Sequence, residues 1–297
     1  MTEHLDSKEC TGCGAVAEYP QRGISTMCAY CDSPLVDSKA AMGHIDRVAP
    51  FRIQRSVAEQ KLKQHLAGHF WAPQKIKKGI LEEHRLRAVL VPFWAYTAVA
   101  RSTYQGKVGI WWYKTVTYVD SKGKTRTRQE RRTEWFPHSG SSIRQVEGHL
   151  ASASVGLPEQ DSNELEPFDL GRAMSFEARL VAGWEAEIPS VGGEVGEAVL
   201  RQEVSGIEAT RIVNHLLPGN EGKVESIQTE MDIEKVEIVL LPVWMASWRH
   251  GDKVIRQMVN GQTGKVIGEI PSSGTKIGVA VLVLVAVFAA LYLGWNG

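Results

Sequence analysis

The chain has 297 residues, which is room for about two compact domains, and 43% of them are hydrophobic and 23% charged. This balance excludes disorder as the main state of the chain. Lys and Arg together number 34, as do Asp and Glu, so the formal net charge is zero. Zero net charge argues against a nucleic-acid binder that is held by bulk charge.

All the cysteines lie near the start of the chain, in two C-x2-C pairs that are separated by fourteen residues: Cys10, Cys13, Cys28 and Cys31. Each pair suits a tight turn that aims two thiolates at one ion, and a short hairpin can bring the two turns together. The spacing therefore predicts a zinc ribbon over residues 1–40, with one structural Zn²⁺ held by four thiolates. An iron site, redox dithiols and structural disulfides are the alternatives.

A first helix is predicted over residues 56–70, because Ser56 to Glu59 form a capping box and apolar residues follow at helical spacing. His65 and His69 lie one turn apart on it. No Glu follows His65 and no third ligand lies near in sequence, which favours structural histidines over a metal site.

Two similar apolar runs, Val89–Trp94 and Val239–Trp244, lie 150 residues apart and are each followed by aromatic residues. Their composition is typical of strands. The repeat predicts an α+β fold with two related, antiparallel β-rich halves, each with a helix, over residues 41–145 and 146–272. Chance similarity of two core strands is the alternative, and whether the halves form one domain or two is left open.

A basic hairpin is predicted in the first half, with strands at 111–119 and 125–135 around the turn Ser121–Lys124. Between positions 114 and 132 the acidic residues are Asp120 and Glu130 alone, against seven cationic residues: Lys114, Lys122, Lys124, Arg126, Arg128, Arg131 and Arg132. Such a hairpin can bind phosphates of nucleic acid or of anionic lipid headgroups, and lipid is the better of these two options. A solvated hairpin that is kept soluble by its charge is the competing interpretation.

The second half is predicted to contain a loop over residues 138–175, a helix over 194–217 and a hairpin around Asn260–Gly264. Gly264-Lys265 looks like part of a phosphate loop. Val occupies the positions of the first glycine and of the final Ser or Thr, so the segment is interpreted as a turn. No other catalytic motif is present in the sequence, which makes a binding adaptor more probable than an enzyme.

The C-terminal segment Ile277–Trp295 has nineteen residues without a charged side chain. As a helix it would be about 28 Å long, which matches a bilayer core. We therefore expect a single transmembrane helix. Lys265 and Lys276 precede it, so the positive-inside rule predicts a tail-anchored protein with residues 1–275 in the cytoplasm and the C-terminus outside the cell membrane. The N-terminus has no signal-peptide pattern.

The order of these motifs resembles a family of bacterial membrane-anchored zinc-ribbon proteins. The segments that carry the resemblance are the two cysteine pairs, Ala49–Phe51, Phe70–Pro73, Val91–Trp94, Leu241–Trp244 and Asn260–Lys265. Members are often labelled primosomal replication factor Y or helicase-like, and some are encoded beside SPFH (flotillin-like) or PspA (ESCRT-III-like) proteins. The resemblance implies that the four cysteines bind zinc and that the protein recruits such partners to the membrane.

The leading hypothesis is thus a cytoplasm-facing, membrane-anchored zinc-ribbon adaptor that binds a membrane-remodelling or flotillin-type protein and can form homo-oligomers. The alternative is a membrane-tethered nucleic-acid binder that uses the zinc ribbon and the hairpin 114–132, and an enzyme without a recognisable motif comes third.

Overall fold

The computed structural model describes residues 5–9, 16–20, 23–27, 34–36, 45–68, 86–250 and 253–268. The strands in these ranges are β1 Leu5–Glu9, β2 Val16–Pro20, β3 Gly23–Met27, β4 Pro34–Val36, β5 Arg47–Val48, β6 Arg87–Val119, β7 Thr125–Ser152, β8 Met174–Ser175, β9 Glu185–Glu187, β10 Glu221–His250, β11 Lys253–Asn260 and β12 Val266–Ile267. The helices are α1 Arg55–Gly68, α2 Glu159–Leu165, α3 Ala178–Val181 and α4 Gly193–Arg211, with a 3₁₀ turn at Leu170–Arg172 and a π turn at Ile212–Leu216.

Most of the described strands join one ten-stranded sheet. Its order is β12-β11-β10-β6-β9-β3-β4, with β7 beside β6 and with β5 beside both β10 and β8, while β1 and β2 form a separate antiparallel pair. β11 is antiparallel to β10 and β12, whereas β5 runs parallel to β10 and β9 parallel to β6.

The chain divides into two compact units. The first comprises residues 1–93, 152–192 and 237–297, and the second comprises 94–151 and 193–236.

The first unit has a core between α1 and the β10–β11 strands. Leu62 and Leu66 of α1 are buried against Trp244 and Val259. The Trp244 indole nitrogen donates a hydrogen bond of 3.0 Å to the Ile53 carbonyl oxygen, which satisfies its only polar atom. The apolar face of α1 is therefore used for packing.

The segment Asn260–Lys265 is a turn, as predicted, and its polar side chains are structural. Asn260 is fully buried, and its amide nitrogen donates to the carbonyl oxygens of Leu165 and Pro167 at 2.9 and 3.0 Å. Its side-chain oxygen accepts from the backbone nitrogens of Gln262 and Thr263. A buried amide that is fully paired in this way holds two loops together.

The second unit consists of parts of β6, β7 and β10 with α4 packed on one face. Alternate side chains of β6, including Tyr96, Ala98 and Ala100, are buried with Leu200 and Val204 of α4. This alternation is the pattern of a strand with one covered face.

The two long predicted helices are present with shifted ends. The helix predicted over 56–70 is Arg55–Gly68, and the helix predicted over 194–217 ends at Arg211 before the π turn. The loop predicted over 138–175 is wrong, because β7 continues to Ser152 and α2 follows at Glu159.

The continuation of β7 depends on a glycine that packs across the sheet. Gly140 lies against Tyr104 of β6, and a Cβ atom at residue 140 would be only 2.6 Å from the Tyr104 hydroxyl. The small residues around position 140 therefore allow close strand packing, although their composition is typical of a loop.

The predicted α+β fold class with two related halves is wrong. The described residues form a mostly β fold, in which the similar runs Val89–Trp94 and Val239–Trp244 lie on the neighbouring strands β6 and β10 of one sheet. Two neighbouring buried strands need the same apolar composition, which accounts for the similarity. Both compact units are assembled from separate stretches of sequence.

The predicted zinc ribbon and single-pass, tail-anchored helix are not part of the fold that the structure describes. In residues 45–68, 86–250 and 253–268 no helix is long and apolar enough to cross a membrane, and no group of three or more His, Cys, Asp or Glu side chains could hold a metal ion. Cys10, Cys13, Cys28, Cys31 and the segment 277–295 lie outside the described residues. Zinc binding by these cysteines and location at the cell membrane stay predictions.

Candidate functional site

The predicted basic hairpin is present as a two-stranded ribbon, which we define as residues 111–135. Its turn is closed by hydrogen bonds from the Asp120 nitrogen to the Lys124 oxygen and from the Gly123 nitrogen to the Asp120 oxygen, both of 2.9 Å. Gly123 has a φ of 74°, a conformation that glycine adopts without strain.

The ribbon begins where the third strand of the sheet stops. β10 starts at Glu221, whose carboxylate accepts a 2.7 Å hydrogen bond from the Trp111 indole nitrogen. Beyond this point β6 and β7 pair only with each other among the described residues. A ribbon of two strands gains little stability from its own packing, so it is suited to contact another molecule.

Exposure separates the ribbon from the rest of the second unit. Burial alternates along β6 as far as Val108, whereas no residue from 110 to 135 is buried. Large apolar side chains share this exposure: Trp112 is 46% exposed, Tyr113 60% and Val119 66%. Exposed aromatic residues beside cationic residues are typical of a binding surface.

The two faces of the ribbon carry different chemistry. Residues at alternate positions of a strand, and those opposite them on its antiparallel partner, share a face. The even-numbered positions form what we name the cationic face, which contains Lys114, Arg126, Arg128 and Arg132 together with Trp112 and Tyr118. The opposite face carries five threonines together with Trp111, Tyr113 and Trp135, and there the Arg131 guanidinium lies 4.2 Å from the centre of the Trp111 ring.

Two of the three acidic residues of the ribbon, Asp120 and Glu130, are less exposed than the arginines with which they pair, whereas Glu134 is exposed. The Asp120 carboxylate pairs with the Arg126 Nε at 2.7 Å, and Glu130 pairs with Arg128 and Arg132 at 2.5 and 2.9 Å. The arginine side chains are 55% to 63% exposed, whereas those of Asp120 and Glu130 are 16% and 28% exposed. The cations therefore form the outer layer of the cationic face.

These contacts also lower the pKa values of the two carboxyl groups. The pKa of Glu130 is lowered mainly by its hydrogen bond with Arg128. The pKa of Asp120 is lowered first by the backbone N–H of Lys124 and then by Arg126. Both groups consequently stay ionised below the pH at which free carboxyl groups take up protons.

The structure thus divides the seven predicted cationic residues. Four lie on the cationic face, Arg131 lies on the other face, and Lys122 and Lys124 lie in the turn. The side chains of Lys114, Lys122 and Lys124 form no ion pair with a described residue. Of the two histidines considered as metal ligands, His65 lies in α1 and His69 lies outside the described residues.

Sequence reasoning missed a buried ion cluster between β7 and α4. Glu208 is fully buried, and its carboxylate lies 2.7 Å from the Arg144 Nε and 3.0 Å from the Arg211 Nη2. The Ser142 hydroxyl donates a further hydrogen bond of 3.3 Å to it. Two guanidinium groups and one hydroxyl compensate for the loss of solvent around this carboxylate. A signal was present, since Glu208 occupies the apolar stripe of α4 four residues after Val204.

A second pair joins the same two elements. The His149 Nε2 lies 3.0 Å from the Glu203 carboxylate. Burial lowers the pKa of His149, while Glu203 acts in the opposite direction and Arg144 lowers it further. Gly148, with a φ of 63°, interrupts the alternation of β7 immediately before His149. Both the buried Glu208 cluster and the partly buried His149–Glu203 pair connect α4 to the sheet.

Comparison with known proteins shows similarity to a distant relative. The chain is 22% identical over 240 residues to the uncharacterized protein YdjG of Bacillus subtilis, a match that covers 79% of this chain and 67% of that protein. No family model and no solved structure matches the chain.

Proposed function

We propose that the protein is a non-catalytic adaptor that binds a partner protein through the ribbon 111–135. The exposure of both ribbon faces carries this proposal, because residues 112–119 and 125–132 contact neither a third strand nor a helix among the described residues. Exposed strands with aromatic side chains promote aggregation, so their presence on a surface is typical of a binding site.

The chemistry of the ribbon suits an acidic, partly apolar partner surface. The arginines of the cationic face present N–H donors that a carboxylate can accept in pairs, and Trp112 and Tyr118 provide apolar contact between them. The resemblance described above suggests SPFH (flotillin-like) or PspA (ESCRT-III-like) proteins as the partner class.

Co-purification tests this function. The full chain is co-expressed with a flotillin-like or a PspA-like protein, and R126Q/R128Q/R132Q is compared with the wild type. We expect the partner to be retained by the wild type and lost at least tenfold with the triple variant. The variant E194Q/E197Q/E225Q changes three charges elsewhere in the same unit and is expected to retain the partner. Equal retention by wild type and ribbon variant, or no partner of either class, contradicts the proposal.

A nucleic-acid binder is the second candidate function. The observation that favours it is that Lys114, Lys122 and Lys124, beside the arginines, form no ion pair within the part of the chain that the structure describes. A two-stranded ribbon also fits the major groove of duplex DNA. This function requires that affinity for nucleic acid falls steeply as the salt concentration rises. Neutralising Arg126, Arg128, Arg131 and Arg132 should make this dependence on salt less steep. Gel-shift titration between 50 and 300 mM salt measures both, and unchanged affinity in the variant would exclude the ribbon as a nucleic-acid site.

A further inference from the structure

The charge of the second unit is unevenly distributed although the whole chain is neutral. The ribbon has seven Lys or Arg residues against three acidic ones, whereas the remainder of the unit, residues 94–110, 136–151 and 193–236, has ten acidic residues against seven Lys or Arg. One end of this unit is therefore cationic and the rest of it is acidic.

Part of the acidic excess forms a regular row on β10. Glu230, Asp232 and Glu234 alternate along the strand and are all exposed, so they share one face, which we name the acidic stripe. Met231 and Ile233 between them face the core with α4. The acidic stripe consequently lies on the sheet face opposite α4.

The acidic stripe keeps acceptor capacity despite its contacts within the chain. Asp232 pairs with Arg101 at 3.1 Å, and Gln145 donates a hydrogen bond of 2.8 Å to Glu234. The Asp232 side chain is nevertheless 68% exposed. An ionised carboxylate accepts about four hydrogen bonds, so each group can accept more than it does here.

The cationic face and the acidic stripe have the same spacing. Arg126 and Arg128 alternate on β7 as Glu230 and Asp232 do on β10, and alternate residues of any strand lie about 6.8 Å apart. Each arginine has five N–H donors, of which its partner in the ribbon uses one or two. The remaining donors can bind carboxylates across an interface.

The ribbon does not reach the acidic stripe of its own chain. Arg101 marks the position of the stripe on β6, and Val116 lies fifteen residues further along the same strand, opposite Arg128. Fifteen residues of strand extend roughly 50 Å. The complementary surfaces can therefore meet only between two copies of the chain.

We infer that the occupant of the cationic face is the acidic stripe of a second copy. This contact joins two different surfaces, so a pair of copies held by one such contact still offers one free ribbon and one free stripe, and assembly can continue into chains or rings. The inference rests on the proposed use of the ribbon as a contact arm and names a second copy as one protein that the arm binds.

Sedimentation velocity of the purified full chain in one constant buffer tests the inference without any other protein. We expect species larger than a dimer at 50 mM salt and a shift to monomer, with at least tenfold weaker association, at 500 mM salt. The ribbon variant R126Q/R128Q/R132Q and the stripe variant E230Q/D232N/E234Q are each expected to remain monomeric. The control E194Q/E197Q/E225Q, with the same charge change as the stripe variant, is expected to assemble.

Mixing the two monomeric variants gives the sharpest result. The ribbon variant retains an intact stripe and the stripe variant an intact ribbon, so the mixture is expected to form a 1:1 dimer and nothing larger. Thermal unfolding at the wild-type midpoint confirms that both variants are folded. The inference is overturned if the wild type is monomeric, if the ribbon variant assembles, or if the control E194Q/E197Q/E225Q loses assembly as completely as the stripe variant.

The same variants distinguish other occupants. The wild type is also tested for binding to vesicles with 30% anionic lipid and to duplex DNA. If the ribbon variant loses this binding but still assembles, the inference is overturned and the cationic face is assigned to that ligand. If the ribbon variant no longer assembles but still captures a flotillin-like or PspA-like partner, the result supports self-association and contradicts the ribbon's role in the proposed function. The failures of the two proposals are thus separable.

Discussion

The ribbon 111–135 and the α4-covered part of the second unit use the same strands for opposite purposes. Along β6, every second residue from 96 to 108 is buried and those at 96, 98 and 100 pack with α4, whereas no residue from 110 to 119 is buried. Polar chemistry differs in the same way. Glu208 of α4 is buried and paired with Arg144, while the ribbon arginines pair with less exposed carboxylates and face outwards. Burial along one strand therefore separates a part that stabilises the fold from a part that is available for binding.

The comparison predicts the largest difference in stability for apolar truncations. Leu200→Ala removes a fully buried side chain from the core with α4 and is expected to lower the free energy of unfolding by about 2–5 kcal/mol. Val119→Ala, at a ribbon residue that is 66% exposed, is expected to change it by less than about 0.5 kcal/mol. Urea unfolding followed by tryptophan fluorescence measures both. A similar cost for the two variants would mean that the ribbon is packed.

Two glycines of α4 test how closely this helix packs on β6. A Cβ atom at Gly196 would lie 2.5 Å from the Tyr96 hydroxyl, so Gly196→Ala is expected to destabilise the protein by about 1–3 kcal/mol. Gly206 has open space around it, and Gly206→Ala is expected to stabilise the protein by about 0.5–1 kcal/mol through helix propensity. Thermal unfolding compares them directly. The same sign for both substitutions would contradict the close contact between α4 and β6.

A smaller effect is expected from the buried histidine. Because burial lowers the pKa of His149 in the folded protein, the unfolded chain binds the proton more readily. Stability is then expected to fall as the pH drops below about 6.5, the ordinary histidine pKa, towards the folded-state pKa. His149→Gln is expected to flatten this dependence. Urea unfolding at pH 7.5, 6.5 and 5.5 measures the free energy of unfolding of both proteins. If it depends on pH identically in both, the pH dependence does not arise from His149.

The smallest effect on stability is predicted for the ribbon arginines. Their ion pairs with Asp120 and Glu130 are exposed, so R126Q/R128Q/R132Q is expected to unfold at the wild-type midpoint. Circular dichroism during heating checks this. A clearly lower midpoint would indicate that these arginines stabilise the fold, and the ribbon could no longer be assigned to binding alone.

Sequence alone predicts the local features of this molecule well. The apolar spacing of α1 and α4 and the polar turn between two alternating strands identify the two helices and the ribbon, although Ser56 of the predicted capping box lies inside α1 and not before it. These signals arise from neighbours in the chain, where helix and strand periodicity act directly.

Features that depend on distant pairing could not be predicted in the same way. Gly140 is typical of a loop by composition, and its close contact with Tyr104 depends on the pairing of β7 with β6. The spacing of Glu208 from Val204 places it on the apolar stripe of α4, but the stripe does not show that Arg144 from β7 pairs with it in the core. The repeat at 89 and 239 was assigned to two halves, because composition alone does not show which strands are neighbours in a sheet.

Site-specific photocrosslinking in growing cells tests most directly whether the ribbon is a contact surface. Benzoylphenylalanine is placed at Tyr118 of the cationic face, which is 41% exposed, or at Gln202, an exposed position of α4, in the full chain. The account predicts abundant crosslinks to protein from position 118, reduced at least tenfold by R126Q/R128Q/R132Q, and few from position 202. Equal crosslinking from the two positions, or crosslinking from position 118 that the arginine substitutions leave unchanged, would contradict it.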